Sequence, residues 1–184
     1  MKPIHLIPLG NGTDDTAPPG LEQLEYLAAA LARTFKTPCQ IRPEPFDVAF
    51  AADPRRGQYY STAILQEMER RAGGGVRVLG VTSCDLYEPV LTFVFGEAQL
   101  DGGCALVSTA RLREEFYGLP ANEDILRGRL VKEAAHELGH TFGLRHCPEW
   151  SCVMASSHGV ERLDIKRAEF CADCRKPIDG ERYW

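Results

Sequence analysis

The chain has 184 residues, 44% of them apolar, and its 21 basic and 26 acidic side chains give a formal net charge of −5. That length suits one sizeable core, and the acidic balance gives no basic footprint for nucleic acid or an anionic membrane. No apolar run approaches the roughly 18 to 20 residues of a membrane span, and the N-terminus lacks the features of a signal peptide, so a soluble, cytoplasmic chain with neither nucleic-acid nor membrane partners is expected.

Residues 4–9 read as a first strand. Leu21, Leu24, Leu27, Ala28, Leu31 and Phe35 then recur at helical spacing and predict an amphipathic helix. Residues 39–41 suit a short second strand. Ser61 can cap a helix carrying Ile64, Leu65 and Met68, which Gly73, Gly74 and Gly75 end before a strand over residues 76–81. Two β-rich runs follow, residues 91–96 and 105–109, with a glycine-containing turn at 101–103 between them. From Asn122 a long helix carries Ile125, Leu126, Leu130, Val131, Ala134 and Leu138, and Gly143 supplies its stop. Beyond it, residues 147–158 look irregular and residues 163–170 suggest a short last helix. The expected organisation is a single α/β domain over 1–184, with an upper part of about 1–143 and a short C-terminal part of about 144–184.

The chemistry concentrates in residues 136–146, which read His-Glu-Leu-Gly-His-Thr-Phe-Gly-Leu-Arg-His and hold three of the chain's five histidines. On a helix, the i, i+4 spacing stacks His136 over His140, so that two imidazoles can converge on one zinc ion. Gly143 lets the backbone leave the helix through a left-handed conformation and bring His146 back as a third ligand, leaving a fourth position for water. Glu137 then stands beside the metal, placed to take a proton from that water and pass it to a leaving amine. The bland alternative, ordinary histidines on a half-buried helix, does not explain why so many fall in one window.

Seven cysteines are many for this length, and their odd number without a signal peptide argues against a secreted disulfide framework. Cys39, Cys84 and Cys104 are scattered, whereas Cys147, Cys152, Cys171 and Cys174 form two pairs with metal spacing. A closed tetrahedral site with a structural zinc is the favoured reading, and two disulfides or a redox pair are the others. Since His146 and Cys147 are adjacent, their side chains serve different metals, which gives two zinc ions per chain.

Together these residues resemble the archaemetzincins, a branch of the metzincin clan of zinc peptidases, whose pattern joins the long histidine motif to Cys-x4-Cys-x-Met and a later Cys-x-x-Cys. Here those positions are His136 through Cys147, Cys152, Met154, Cys171 and Cys174, and the likeness extends upstream through Asp85-Leu86-Tyr87, residues 93–98 and residues 108–112. The resemblance implies a twisted, mixed, mostly parallel five-stranded sheet with a backing helix, an active-site helix and a C-terminal helix. It makes Met154 a Met-turn residue beneath the imidazoles. It also makes Phe93, Val94, Phe95, Gly96, Glu97 and Ala98 an antiparallel edge strand able to pair with an extended peptide. Ser156 stands where several other metzincins carry a tyrosine near the metal.

The function expected is therefore a zinc-dependent peptidase acting on peptides or small unfolded proteins. A catalytically idle zinc-binding interaction module on the same fold is the alternative, and the carboxylate of Glu137 favours the enzyme. Glu97 and Glu149 are candidates for receiving a substrate amine.

Overall fold

The computed structural model describes residues 2–12, 16–44 and 46–180. Strand β1 (Ile4–Gly10) leads to helix α1 (Leu21–Phe35), β2 (Cys39–Ile41), β3 (Phe46–Asp47), β4 (Ala52–Asp53), β5 (Gln58–Tyr60) and α2 (Ser61–Arg71). Then come β6 (Arg77–Thr82), β7 (Leu86–Tyr87), β8 (Gly96–Ala98), β9 (Cys104–Ser108), α3 (Glu123–Thr141), α4 (Val160–Ile165) and α5 (Ala172–Ile178). The main sheet runs β2-β1-β6-β9-β8. Its first four members are parallel and β8 lies antiparallel to β9 at the edge. β2 and β3 both pair with β1, beside Ile4 to Leu6 and beside Leu9 and Gly10 respectively, so they share one position of a five-position sheet. A smaller sheet, β4-β5-β7, lies outside this path.

The period of two in each strand sorts the core into two layers. Leu79 and Val81 of β6 and Ala105 and Val107 of β9 face α1 and α3, with Leu27, Leu31, Phe35, Leu130, Ala134 and Leu138 packed on them. Val78, Cys104 and Leu106 face the other way, toward Ile64, Leu65 and Met68 of α2. Helices on both faces are the usual solution for a mostly parallel sheet, which cannot leave either face to water. Among the described residues no helix is long and apolar enough to cross a membrane.

Three expected elements differ. Residues 91–96 do not form a continuous strand: only Val94 bridges, to Leu86, before β8 begins at Gly96. The carbonyls that would have joined a ladder are taken by side chains, since Arg56 Nη2 donates to Leu91 O and Thr92 O at 3.1 Å each, and Gln58 Nε2 to Thr92 O at 3.0 Å. The expected helix over 163–170 is displaced to Val160–Ile165 and stops at Lys166, whose backbone is extended. From there Arg167 and Glu169 pair with the backbone of Ser151 and Val153 instead. Ser61 does not cap α2 through its side chain; its hydroxyl donates to Tyr87 O at 2.9 Å and ties the helix to β7.

Candidate metal centre and cleft

Helix α3 starts on Asn122, whose side chain accepts from the Ile125 amide at 3.1 Å, and carries Glu123 and Asp124 in its first turn, where anions suit the helix dipole. It ends at Gly143, with φ +83°. The Gly143 amide donates to His140 O and the Leu144 amide to Gly139 O, a paired closure that requires the left-handed residue. This turn brings His146 back over the helix. The ligand nitrogens of His136, His140 and His146 all lie within 4.8 Å of one another. Two nitrogens held at roughly 2.0–2.1 Å around a tetrahedral ion stand about 3.4 Å apart, and the Nε2 atoms of His136 and His140 are separated by 3.2 Å.

The other ring nitrogens are fixed from behind. His136 Nδ1–H donates to Val153 O at 2.9 Å and His140 Nδ1–H to Leu144 O at 2.7 Å, which leaves both Nε2 atoms as acceptors facing inward. Burial, then the nearby Lys166 ammonium, pushes His136 well below the ordinary imidazole value. Burial lowers His140 and His146 as well. All three therefore favour the neutral form that a metal requires, and the donor set fits zinc.

Glu137 is buried, and its Cγ lies 2.6 Å from where a Cβ on Gly96 would stand, so glycine at the edge strand makes room for the carboxylate. Burial, then the Glu133 carboxylate one turn earlier, holds the Glu137 carboxyl well above the usual carboxylate range. Burial also raises Glu133, while the Lys166 ammonium opposes that rise. Lys166 Nζ stands 3.8 Å from Glu133 Oε2 and donates to Ala155 O at 3.1 Å. Two cavities meet at Gly96, His136, Glu137 and His146. One, of about 310 Å³, reaches between residues 91–95 and Ser156, Ser157 and His158, with Glu133 in its wall. The other, of about 390 Å³, is bounded by Glu97, Ala98, Leu100, His140 and Arg145.

Glu97 points into the second cavity's wall, where Thr62 Oγ1 donates to its carboxylate at 2.9 and 3.0 Å. Glu149 lies between Cys147 and Cys152, accepts from Ser151 and lines neither cavity.

The four expected cysteines also meet, with all Sγ atoms within 4.8 Å of one another. Sulfurs at about 2.3 Å from a tetrahedral ion are about 3.8 Å apart, and Cys147 Sγ and Cys171 Sγ are separated by 3.8 Å. A disulfide needs about 2.05 Å, and every cysteine is a free thiol. Backbone amides of Met154 and Cys171 donate to Cys152 Sγ at 3.4 and 3.3 Å. The set fits a closed zinc site. Met154 is fully buried and packs on Gly139, between the two helical histidines.

Sequence reasoning missed Glu133, Lys166, Arg145, Ser157 and the position of His158. Only Glu133 left a trace, four residues before Glu137 on the same helical face.

Residues 64–180 match the family described as Peptidase family M54. An archaemetzincin of Methanocaldococcus jannaschii is 43% identical over 175 residues, 95% of this chain and 92% of that relative. Among solved structures, an archaemetzincin of Archaeoglobus fulgidus complexed with malonate superposes with a TM-score of 0.79 at 35% identity, covering 95% of this chain and 99% of that one. A zinc-dependent peptidase of Methanocorpusculum labreanum superposes with a TM-score of 0.82 at 31% identity, with the same coverage.

Proposed function

The chain belongs to peptidase family M54, the archaemetzincins, and from that premise we propose that it hydrolyses peptide bonds with His136, His140 and His146 holding zinc and Glu137 as general base. A second zinc on Cys147, Cys152, Cys171 and Cys174 is structural. When bound, the catalytic ion supplies Lewis acidity, polarising the scissile carbonyl and making water acidic enough to lose a proton near neutral pH.

Glu137 receives that proton and returns it to the leaving amine. Its buried carboxyl, raised in pKa by its surroundings, is suited to both halves of the transfer. The peptide binds by extending the sheet. No strand among those described pairs with the outer edge of β8, so its free backbone groups can hold an extended chain. A peptide antiparallel to β8 runs from Ala98 toward Gly96, which places the residue before the scissile bond by Glu97 and the residue after it in the cavity bordered by residues 91–96. Met154 supports the imidazoles from below. We read residues 1–184 as one catalytic domain, with an upper part to about 143 and a short C-terminal part, and the free thiols suit a reducing cytoplasm.

The observation that carries this reading is the buried carboxylate of Glu137 beside three converging imidazoles at the meeting of two cavities. A peptide library incubated with zinc-loaded wild type and Glu137→Ala, with metal content measured for both, tests it. The variant is expected to keep its zinc and cleave about 10² to 10⁴ times more slowly. Equal turnover by the variant would place the base elsewhere, and a zinc-loaded wild type that cleaves nothing would point to the idle binding module.

A further inference from the structure

Two carboxyls and one ammonium are buried together beside the cleft. Glu133 and Glu137 lie one turn apart on α3, and Lys166, just past the end of α4, brings its Nζ to 3.8 Å from Glu133 Oε2, with the Lys166 and Glu133 side chains 1% and 7% exposed. Lys166 Nζ is anchored separately on Ala155 O at 3.1 Å, next to the fully buried Met154. The Glu133 side chain hydrogen-bonds to that of Glu137. We propose that Glu133, held in place by Lys166, is a positioning residue for the general base: it grips one side of the Glu137 carboxyl so that the other side faces the metal. The assignment rests on the peptidase reading above and adds to it the groups that aim the base.

Stability does not account for this arrangement. Like charges four residues apart on a helix repel, and burial adds a desolvation cost for each. Apolar side chains of similar volume in place of a buried ion pair are often neutral or stabilising, so packing alone gives no reason for Glu133 and Lys166. What the three groups supply is direction. Gly96 sets no side chain against Glu137 Cγ and Cδ, so on that side the carboxyl has room to turn. Glu133 restrains it from the preceding helical turn. Lys166 in turn is fixed to the segment that carries Met154 and Val153, and the Val153 carbonyl orients the ring of His136. One connection thereby keeps the base and a metal ligand in register.

The test measures kcat and KM of zinc-loaded variants on a peptide that the wild type cleaves, with zinc content and Tm recorded for each. Glu133→Leu combined with Lys166→Met removes the pair without leaving either charge buried alone. It should keep its zinc and lower kcat about 10 to 100-fold with KM within about threefold of wild type, since a misplacement of about 1 Å can cost on the order of 10²-fold in rate. Glu133→Gln should stay within about fivefold of the wild-type kcat, because its amide can donate to Glu137 while its oxygen faces Lys166. In a Glu137→Ala background the double substitution should change the residual rate by less than about twofold, as a residue that acts through Glu137 then has nothing to position. Lys166→Met alone, expected to lower kcat at least about fivefold, decides the matter if the double variant does not fold. Wild-type kcat in the folded variant, a loss confined to KM, Glu133→Gln as slow as the variant lacking the pair, or an equal further loss in the Glu137→Ala background would overturn the proposal while the peptidase reading stands. A zinc-loaded wild type that cleaves nothing, or Glu137→Ala cleaving at the wild-type rate, would remove both.

Discussion

The two candidate metal centres adjoin at the peptide bond between His146 and Cys147, yet they are built in opposite ways. The histidine centre takes two ligands from consecutive turns of the 19-residue helix α3 and a third from the turn that ends it, and it opens onto two cavities. The cysteine centre takes its ligands from a loop and the start of the 7-residue helix α5, and backbone amides close around its sulfur. Rigid secondary structure positions a site that must stay open, whereas a site whose ion has no vacant position can itself supply the rigidity. The link between them is Val153, which lies in the cysteine loop and whose carbonyl fixes the ring of His136.

The largest expected effect comes from removing the closed centre. Zinc contributes roughly 10 to 16 kcal/mol of apparent binding free energy in small structural sites. Cys171→Ser together with Cys174→Ser should lose one zinc per chain and lower Tm by more than about 10 °C. It should also weaken zinc binding at the histidines by about 10 to 100-fold, because Val153 O no longer holds the His136 tautomer. Elemental analysis, calorimetry and a zinc competition assay check the three parts. Unchanged stability would show that the tail is held by packing alone.

A smaller effect probes the contact where the two regions press together. Gly139 sits between His136 and His140, and a Cβ there would run into Met154 Sδ and come within 3.2 Å of Phe170. Alanine favours a helix by about 1 kcal/mol over glycine, but overpacking a core costs about 1–3 kcal/mol. Gly139→Ala is therefore expected to lose up to about 2 kcal/mol in denaturant melts, the reverse of what helix propensity predicts. A stabilised variant would mean that Met154 moves aside freely.

The same two regions differ in how much of them could be read from the chain. The histidine motif was legible because helical spacing and one glycine are local rules, and the cysteine pairs were legible because metal spacing is local too. Glu133 and Lys166 were not, since a glutamate on an acidic helix and a lysine 33 residues later acquire meaning only when the loop after Cys147 folds back. Strands of two or three residues such as β3, β4, β5 and β7 are too short to display a period. Residues 91–96 had the composition of a strand, but Arg56 and Gln58 claim their carbonyls. Helix α5 was hidden by Pro177, which near the last turn does not prevent the helix from forming.

Acid separates the open centre from the rest in metal-free protein. His136 titrates below 6.5 when folded, so on acidification the unfolded chain takes up the proton first. Its contribution to stability is constant above about pH 6.5 and is lost as pH falls toward the folded value, by at most about 1.4 kcal/mol per pH unit. Glu133 and Glu137, raised by burial, act in the opposite sense: the folded state binds their protons first, so acidification favours folding. The comparison that isolates the histidine is wild type against His136→Gln in urea melts from pH 7.5 downward. The wild type should lose stability relative to the variant below about pH 6.5, and a constant difference would show that the ring titrates alike in the folded and unfolded chain.

The smallest expected effect concerns the surface pairs that also join the tail to the upper part. Lys36 Nζ lies 3.2 Å from Asp179, but its side chain is 65% exposed, and exposed pairs contribute less than about 1 kcal/mol and are screened by salt. Lys36 also has φ +51°, a left-handed conformation that costs a side-chain-bearing residue more than glycine. Lys36→Ala should therefore change stability by no more than about 0.5 kcal/mol. Lys36→Gly should equal or exceed the wild type, since relief of the backbone offsets the lost pair. The Arg175 guanidinium, which donates to Thr34 O at 2.7 Å, remains in both variants. If Lys36→Ala instead cost about 2 kcal/mol and the loss vanished in high salt, surface charge rather than the cysteine centre would be what fastens the tail, and the contrast between the two metal sites would have to be redrawn.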